Sequence, residues 1–85
     1  LVEDDDSIAI VITAALEAEG LAVTRCASIA ERDRLLAGER FAVLATDVML
    51  PDGDGIATMD AVRALHPDMP VIVLSAGTIS RKPLS

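Results

Sequence analysis

Apolar and polar positions along this chain repeat with two different periods, and the changes of period mark out its elements. Leu1-Val2 is a short apolar stub that opens onto four acids, Glu3-Asp4-Asp5-Asp6, and it reads as the tail of a strand that has lost its first residues. Over 7–19, Ile8-Ala9-Ile10-Val11-Ile12-Thr13-Ala14-Ala15-Leu16 is apolar enough for a buried strand. Its length, Asp6 or Ser7 as N-cap and Gly20 as stop predict a helix instead, with Ile8, Ile12, Ala15 and Leu16 as the inner stripe. Residues 21–26 alternate apolar and polar side chains, which predicts a strand. Ser28 with Glu31 three residues later forms a capping box, opening a second helix that runs to about Ala37 and stops at Gly38.

Phe41-Ala42-Val43-Leu44-Ala45 is a continuous apolar run, as expected of a central parallel strand buried on both faces, and it leads to Asp47. After the loop Pro51-Asp52-Gly53-Asp54-Gly55, the apolar residues Ile56, Met59, Ala61, Val62 and Leu65 keep a helical spacing over 56–65, which His66-Pro67 closes. His66 reads as a helix-end residue. Pro70-Val71-Ile72-Val73-Leu74 is a further buried strand, with Ser75-Ala76-Gly77 at its carboxyl end. Residues 77–85 are too short for another helix and strand and read as a loop or tail. Strand and helix thus alternate, an α/β signature, with residues 1–76 as the domain and 77–85 as a tail or junction carrying Lys82-Pro83.

Composition adds limits. Eighty-five residues make one domain, and the 52% apolar content comes mostly from aliphatic side chains, with Phe41 the only aromatic. A single cysteine, Cys26, excludes an internal disulfide and fits a reducing compartment. No leader and no membrane-length apolar run is visible, so the chain reads as soluble, and its acidity makes it a poor nucleic-acid binder alone.

Charge changes the picture most. Fourteen acids face seven bases, and seven of the acids are Glu3, Asp4, Asp5, Asp6, Asp47, Asp52 and Asp54. The net charge of −7 therefore falls on two segments, since acids and bases balance elsewhere. In a parallel sheet the carboxyl ends of neighbouring strands share one edge, which brings Asp4, Asp5 and Asp47 into one crevice. Crowded carboxylates repel unless a cation compensates them, and a hard divalent ion suits oxygen ligands. The bland alternative is an acidic surface that keeps a small domain soluble.

The acidic cluster after the first strand, Asp47 followed by Pro51 and Gly55, Ser75-Ala76 after the fourth strand, and Lys82-Pro83 stand in an order that resembles the receiver domain of a bacterial response regulator. The resemblance runs from Leu1 through Ala76. It implies a flavodoxin-like doubly wound α/β fold, here truncated after strand four. It also implies that Asp47 is a phosphoacceptor served by a sensor histidine kinase. Mg²⁺ would be held by Asp4, Asp5, Asp47 and the backbone carbonyl of Met49, with Asp6 or Glu3 replacing Asp4 or Asp5 if the strand end shifts by a residue, and with Ser75, the Ala76 N–H and Lys82 contacting the phosphoryl group. Such a domain is a phosphoacceptor that assists its own phosphorylation and dephosphorylation rather than an enzyme, and it switches output or dimerisation. The implied setting is cytoplasmic, without membrane contact, with a homodimer as a further partner and DNA reached only through an effector domain absent from the chain. The stretch from His66 to Ala76 resembles receivers of nitrogen-regulation-type activators.

Two departures stand beside these matches. Lys82 lies only seven residues beyond Ser75, far closer than the family's lysine, and the chain has no tyrosine to serve as the switch aromatic. They leave as alternative a pseudo-receiver or inactive fragment that acts only as a protein-interaction module. A haloacid-dehalogenase-like phosphatase needs a second acid two residues after the nucleophile, where Met49 stands. A calcium loop over 52–63 ends at Arg63 instead of glutamate.

Overall fold

The computed structural model describes the backbone of residues 1–75 and 78–82 and the side chains of residues 1–74. Three helices are described, α1 (Asp6–Ala18), α2 (Ile29–Gly38) and α3 (Asp60–Leu65), with strands β1 (Leu44–Asp47), β2 (Met49–Leu50), β3 (Gly53–Asp54), β4 (Val71–Ser75) and β5 (Thr78–Lys82). Parallel bridges join Val2 to both Cys26 and Thr46, and β1 pairs in parallel with β4. From one side the backbone segments therefore run Cys26, Val2, β1, β4, with chain order 2-1-3-4, the strand order of a flavodoxin-like doubly wound sheet.

Residues 21–25 do not form the expected strand. Pairing is confined to its end: the Leu1 amino group donates to the Thr24 carbonyl at 2.8 Å, the Cys26 N–H to the Leu1 carbonyl at 2.8 Å and the Glu3 N–H to the Cys26 carbonyl at 3.0 Å. The alternation of half-buried and exposed side chains nonetheless persists over residues 21–24.

The segment expected to be loop is also different. Residues 78–82 are β5, antiparallel to β4, with Ser75 opposite Thr78 and Val71 opposite Lys82. A parallel neighbour requires a crossover of a dozen or more residues, whereas two residues separate β4 from β5, and only a hairpin closes that distance.

α1 begins earlier than expected because Asp5 is its N-cap, the carboxylate accepting the Ile8 N–H at 3.0 Å. The inward stripe turns accordingly. Ala9 is its buried residue, with Ile12, Thr13 and Leu16 half-buried, while Ile8 and Ala15 are exposed. α3 is shorter than the predicted 56–65. The Asp54 carboxylate accepts the N–H groups of Ile56 and Ala57 at 2.7 and 2.8 Å, and the Thr58 hydroxyl donates to the Asp54 carbonyl. These local bonds offer residues 56–58 an alternative to helix, and helix starts only at Asp60.

Packing is concentrated where α2 and α3 meet the sheet. Val2, Cys26, Ile29, Leu36, Leu44, Leu50, Met59, Val62, Met69 and Val71 form one buried cluster, with Leu35 and Phe41 against it. α1 leaves Ile10 and Val11 about two-thirds exposed. Met59→Ala is therefore expected to cost about 2–5 kcal/mol in a denaturant melt. Ile10→Lys, by contrast, is expected to stay within about 0.5 kcal/mol of the parent.

Candidate functional site

The carboxyl ends of the parallel segments meet at one edge, and the acids gather there. Val2 sits between two neighbours, its N–H donating to the Ala45 carbonyl at 2.8 Å and its carbonyl accepting the Asp47 N–H at 2.9 Å. That pairing delivers Glu3 and Asp4 beside the end of β1. Carboxylate oxygens of Glu3, Asp4 and Asp47 lie within 4.8 Å of one another.

This trio differs from the expected Asp4, Asp5 and Asp47 in holding Glu3 in place of Asp5. Asp5 belongs to the cap of α1 rather than to the cluster, and Asp6 forms an exposed ion pair with Arg25 at 2.8 Å. The residue that joins Asp4 and Asp47 is Glu3, which is 2% exposed. Its Oε2 accepts the Asp5 N–H at 3.1 Å. Burial pushes the Glu3 carboxyl above the ordinary glutamate value against the lowering effect of that hydrogen bond, and the negative charges of Asp47 and Asp4 push it further up.

Two backbone contacts hold the frame. The Arg25 guanidinium donates to the Glu3 carbonyl through Nε and Nη2 at 3.0 and 2.8 Å. Asp47 Oδ1 accepts the Val48 N–H at 2.8 Å, which fixes the rotation of that carboxylate. The β2–β3 hairpin then carries the chain back, and Gly55 packs directly on the end of β1 with its N–H donating to the Val48 carbonyl at 2.7 Å.

Other expected contributors are spread more widely. Met49 opens β2 with its side chain exposed, two residues beyond Asp47. Ser75 ends β4 next to Leu74, the partner of Asp47, so its backbone is at the acidic edge, while its side chain and all of Ala76 lie outside the described residues. Lys82 pairs with Val71, at the opposite end of β4. Its backbone is thus three residues, about 10 Å along the strand, from the level of Asp47, and its side chain lies outside the described residues. His66 closes α3 as expected, its Nε2 2.6 Å from the Leu36 carbonyl.

Sequence reasoning did not single out Arg25 or Arg32, and it held Glu3 only as a replacement for Asp4 or Asp5 should the strand end shift by one residue. The signal for Glu3 was present: the side chain directly after Val2 is the first to emerge at the edge where Asp47 emerges.

Three carboxylates, one buried and disfavoured as an anion by its neighbours, are an all-oxygen donor set suited to a hard divalent cation such as Mg²⁺. The donors fit that ion.

Comparison with known proteins places the chain in a family. The family model described as response regulator receiver domain matches residues 1–82. The DNA-binding transcriptional regulator NtrC of Escherichia coli K12 is 37% identical over 76 residues, 89% of this chain and 16% of that protein. The swarming motility regulation protein RssB of Serratia marcescens is 36% identical over 76 residues, 89% of the chain and 35% of that protein. The transcriptional regulatory protein CssR of Bacillus subtilis is 36% identical over 77 residues, 89% of the chain and 33% of that protein. The chain thus spans a third or so, or less, of the length of these relatives. No solved structure matches it.

Proposed function

The chain belongs to the response regulator receiver domain family of two-component signalling, a family of phosphoacceptors with a flavodoxin-like fold, and we propose that Asp47 is its phosphoacceptor. The observation that carries this reading is the meeting of Glu3, Asp4 and Asp47 within 4.8 Å at the carboxyl edge of the sheet. Phosphoryl transfer depends mainly on positioning and on neutralising charge. Glu3, Asp4 and Asp47, with the Met49 carbonyl, would hold Mg²⁺, which supplies the positive charge that lets an anionic donor approach three carboxylates.

The chain's own groups then do the rest. The Val48 N–H holds Oδ1 of Asp47, and Oδ2, which accepts no hydrogen bond among the described residues, is left to form the bond to phosphorus. As that P–O bond forms, the P–N bond to the donor imidazole breaks, and the imidazole nitrogen keeps the electron pair. The Ser75 hydroxyl and the Ala76 N–H receive the phosphoryl oxygens, drawing the segment after β4 toward the site and biasing a two-state switch.

The partner is a sensor histidine kinase, and the setting is cytoplasmic; no helix among the described residues is long and apolar enough to cross a membrane. Residues 1–76 form the receiver, and residues 77–85 are its tail or junction, of which β5 (Thr78–Lys82) pairs with β4 at the edge of the sheet. The parent protein is a transcriptional regulator, as its relatives' names describe. Output passes through a homodimer or an effector domain outside this chain, which would be the part that contacts DNA.

The register of Lys82, at the far end of β4, favours a second reading: a pseudo-receiver that binds partners without being phosphorylated. Intact mass before and after incubation with a small acyl phosphate separates the two. The phosphoacceptor reading predicts one added phosphoryl group that needs Mg²⁺ and is absent from Asp47→Asn. No adduct in the parent chain under saturating Mg²⁺ supports the pseudo-receiver.

A further inference from the structure

Two charged side chains outside the acidic cluster tie α2 to the loop that follows Asp47, each reaching toward the other's backbone. Asp52, at the tip of the β2–β3 hairpin, accepts the N–H groups of Ile29 and Ala30 at 2.9 and 3.1 Å, capping α2 alongside Ser28. In return Arg32, one turn into α2, donates from Nη1 to the Gly55 carbonyl and the Thr58 hydroxyl, both at 3.1 Å. Its Nη2 donates to the Thr58 carbonyl at 3.0 Å and to Asp33 Oδ1 at 2.8 Å, with Nε on the same oxygen at 3.0 Å.

Arg32 is 1% exposed. A buried guanidinium is costly to desolvate, and an apolar side chain of similar volume often serves a core as well or better. What an apolar chain lacks is the grip on two carbonyls of one loop. From Gly55 the path continues by bonds already described: its N–H holds the Val48 carbonyl at 2.7 Å, and the Val48 N–H holds Asp47 Oδ1 at 2.8 Å.

We propose that Arg32 is a positioning residue for Asp47: through Gly55 and Val48 it sets the rotation of the carboxylate, while Asp52 locks the helix on which Arg32 stands. The proposal rests on the assignment of Asp47 as phosphoacceptor. Rotation matters because in-line attack needs the reacting oxygen near contact distance, and small misplacements slow such steps by large factors.

The test uses ¹⁵N–¹H amide spectra and the rate of phosphoryl uptake per folded molecule, from a small acyl phosphate at saturating Mg²⁺, for the parent chain, Arg32→Met and Arg32→Lys. In Arg32→Met the Val48 and Gly55 amide protons are expected to move upfield as their bonds lengthen, and the rate to fall about tenfold or more. Arg32→Lys, which keeps a cation able to reach one carbonyl, recovers most of both. A folded Arg32→Met in which either the Val48 amide or the rate is unmoved overturns the proposal and leaves arginine as filler. Should Arg32→Met fail to fold, Arg32→Gln is judged by the same two readouts. If the parent chain itself takes no phosphoryl group, the assignment of Asp47 falls, and the Val48 shift alone supports or overturns the positioning role.

Discussion

Gly55→Ala is expected to lower the unfolding free energy by about 3 kcal/mol or more and to abolish phosphoryl uptake. A Cβ at position 55 would overlap the carbonyl oxygen of Asp47 and stand 2.8 Å from Thr46 Oγ1 and 3.2 Å from Leu50 Cδ1. The first neighbour is backbone, and the second belongs to a side chain with no exposure whose hydroxyl already donates to that same carbonyl at 2.9 Å. Neither has room to give. Overpacking a core costs about 1–3 kcal/mol where side chains can shift, and here the end of β1 would have to move, against its ladder with β4. The same displacement would carry Asp47 away from Glu3 and Asp4. Gly38→Ala supplies the contrast: nothing lies near a Cβ there, the residue is helical, and the change is expected to stabilise by about 0.5–1 kcal/mol. Thermal or urea melts of the two variants check the difference.

Glu3→Gln is expected to separate metal binding from stability. With Glu3 in the proposed ligand set, removing its carboxylate should weaken Mg²⁺ by at least about 100-fold, more than the loss of an outer-shell partner usually costs. Metal-free protein should respond in the opposite sense. Burial, with Asp47 and Asp4 alongside, raises the folded carboxyl above the ordinary glutamate value, so between those two values the folded state binds more protons than the unfolded one. Stability of the parent chain without metal therefore falls as pH rises through that window, and Glu3→Gln removes the slope and raises the neutral-pH melting midpoint.

Asp52 acts in a different window. The N–H groups of Ile29 and Ala30 hold its carboxyl below the ordinary aspartate value, so the stability it lends α2 is present above that value and is lost on further acidification. Mg²⁺ at a hundredfold excess over its Kd should add about 2.7 kcal/mol to the parent chain and much less to Glu3→Gln. Titrations of melting midpoint against pH and Mg²⁺ check both slopes. A Mg²⁺ affinity unchanged in Glu3→Gln would remove Glu3 from the site.

Much of this was legible in the pattern of the chain. The two-period alternation placed α1, α2 and β4, and it marked β1 with a shift, since the apolar run over 41–45 predicted a strand that forms over Leu44–Asp47; Ser28-Glu31 marked the start of α2 where Ser28 Oγ does accept the Glu31 N–H at 3.2 Å. Asp47 at the end of β1 followed from the apolar run that precedes it. What failed were features decided by single residues of offset or by distant partners. Which acid of Glu3-Asp4-Asp5-Asp6 caps α1 depends on where the helix begins, and shifting the cap to Asp5 moves the cluster to Glu3 and Asp4.

The shortening of α3 was hidden in the side chain of Asp54, whose bonds to Ile56 and Ala57 compete with helix over a stretch that is periodic enough to look helical. The loop expectation for residues 78–82 counted residues for a crossover and left out the hairpin that a two-residue connection permits. Arg32 is the clearest omission. A charged residue on a helix reads as surface until the loop carbonyls that receive it are known, and those lie 23 and 26 positions further along.

The most direct test of the central claim is to locate the phosphoryl group. The chain is incubated with Mg²⁺ and a small acyl phosphate, reduced with borohydride so that an aspartyl phosphate becomes homoserine, and sequenced by tandem mass spectrometry. The account predicts homoserine at position 47 and nowhere else, lost when Mg²⁺ is withheld. Homoserine at Asp52 or Asp54, or phosphoryl uptake that persists in Asp47→Asn, would contradict it.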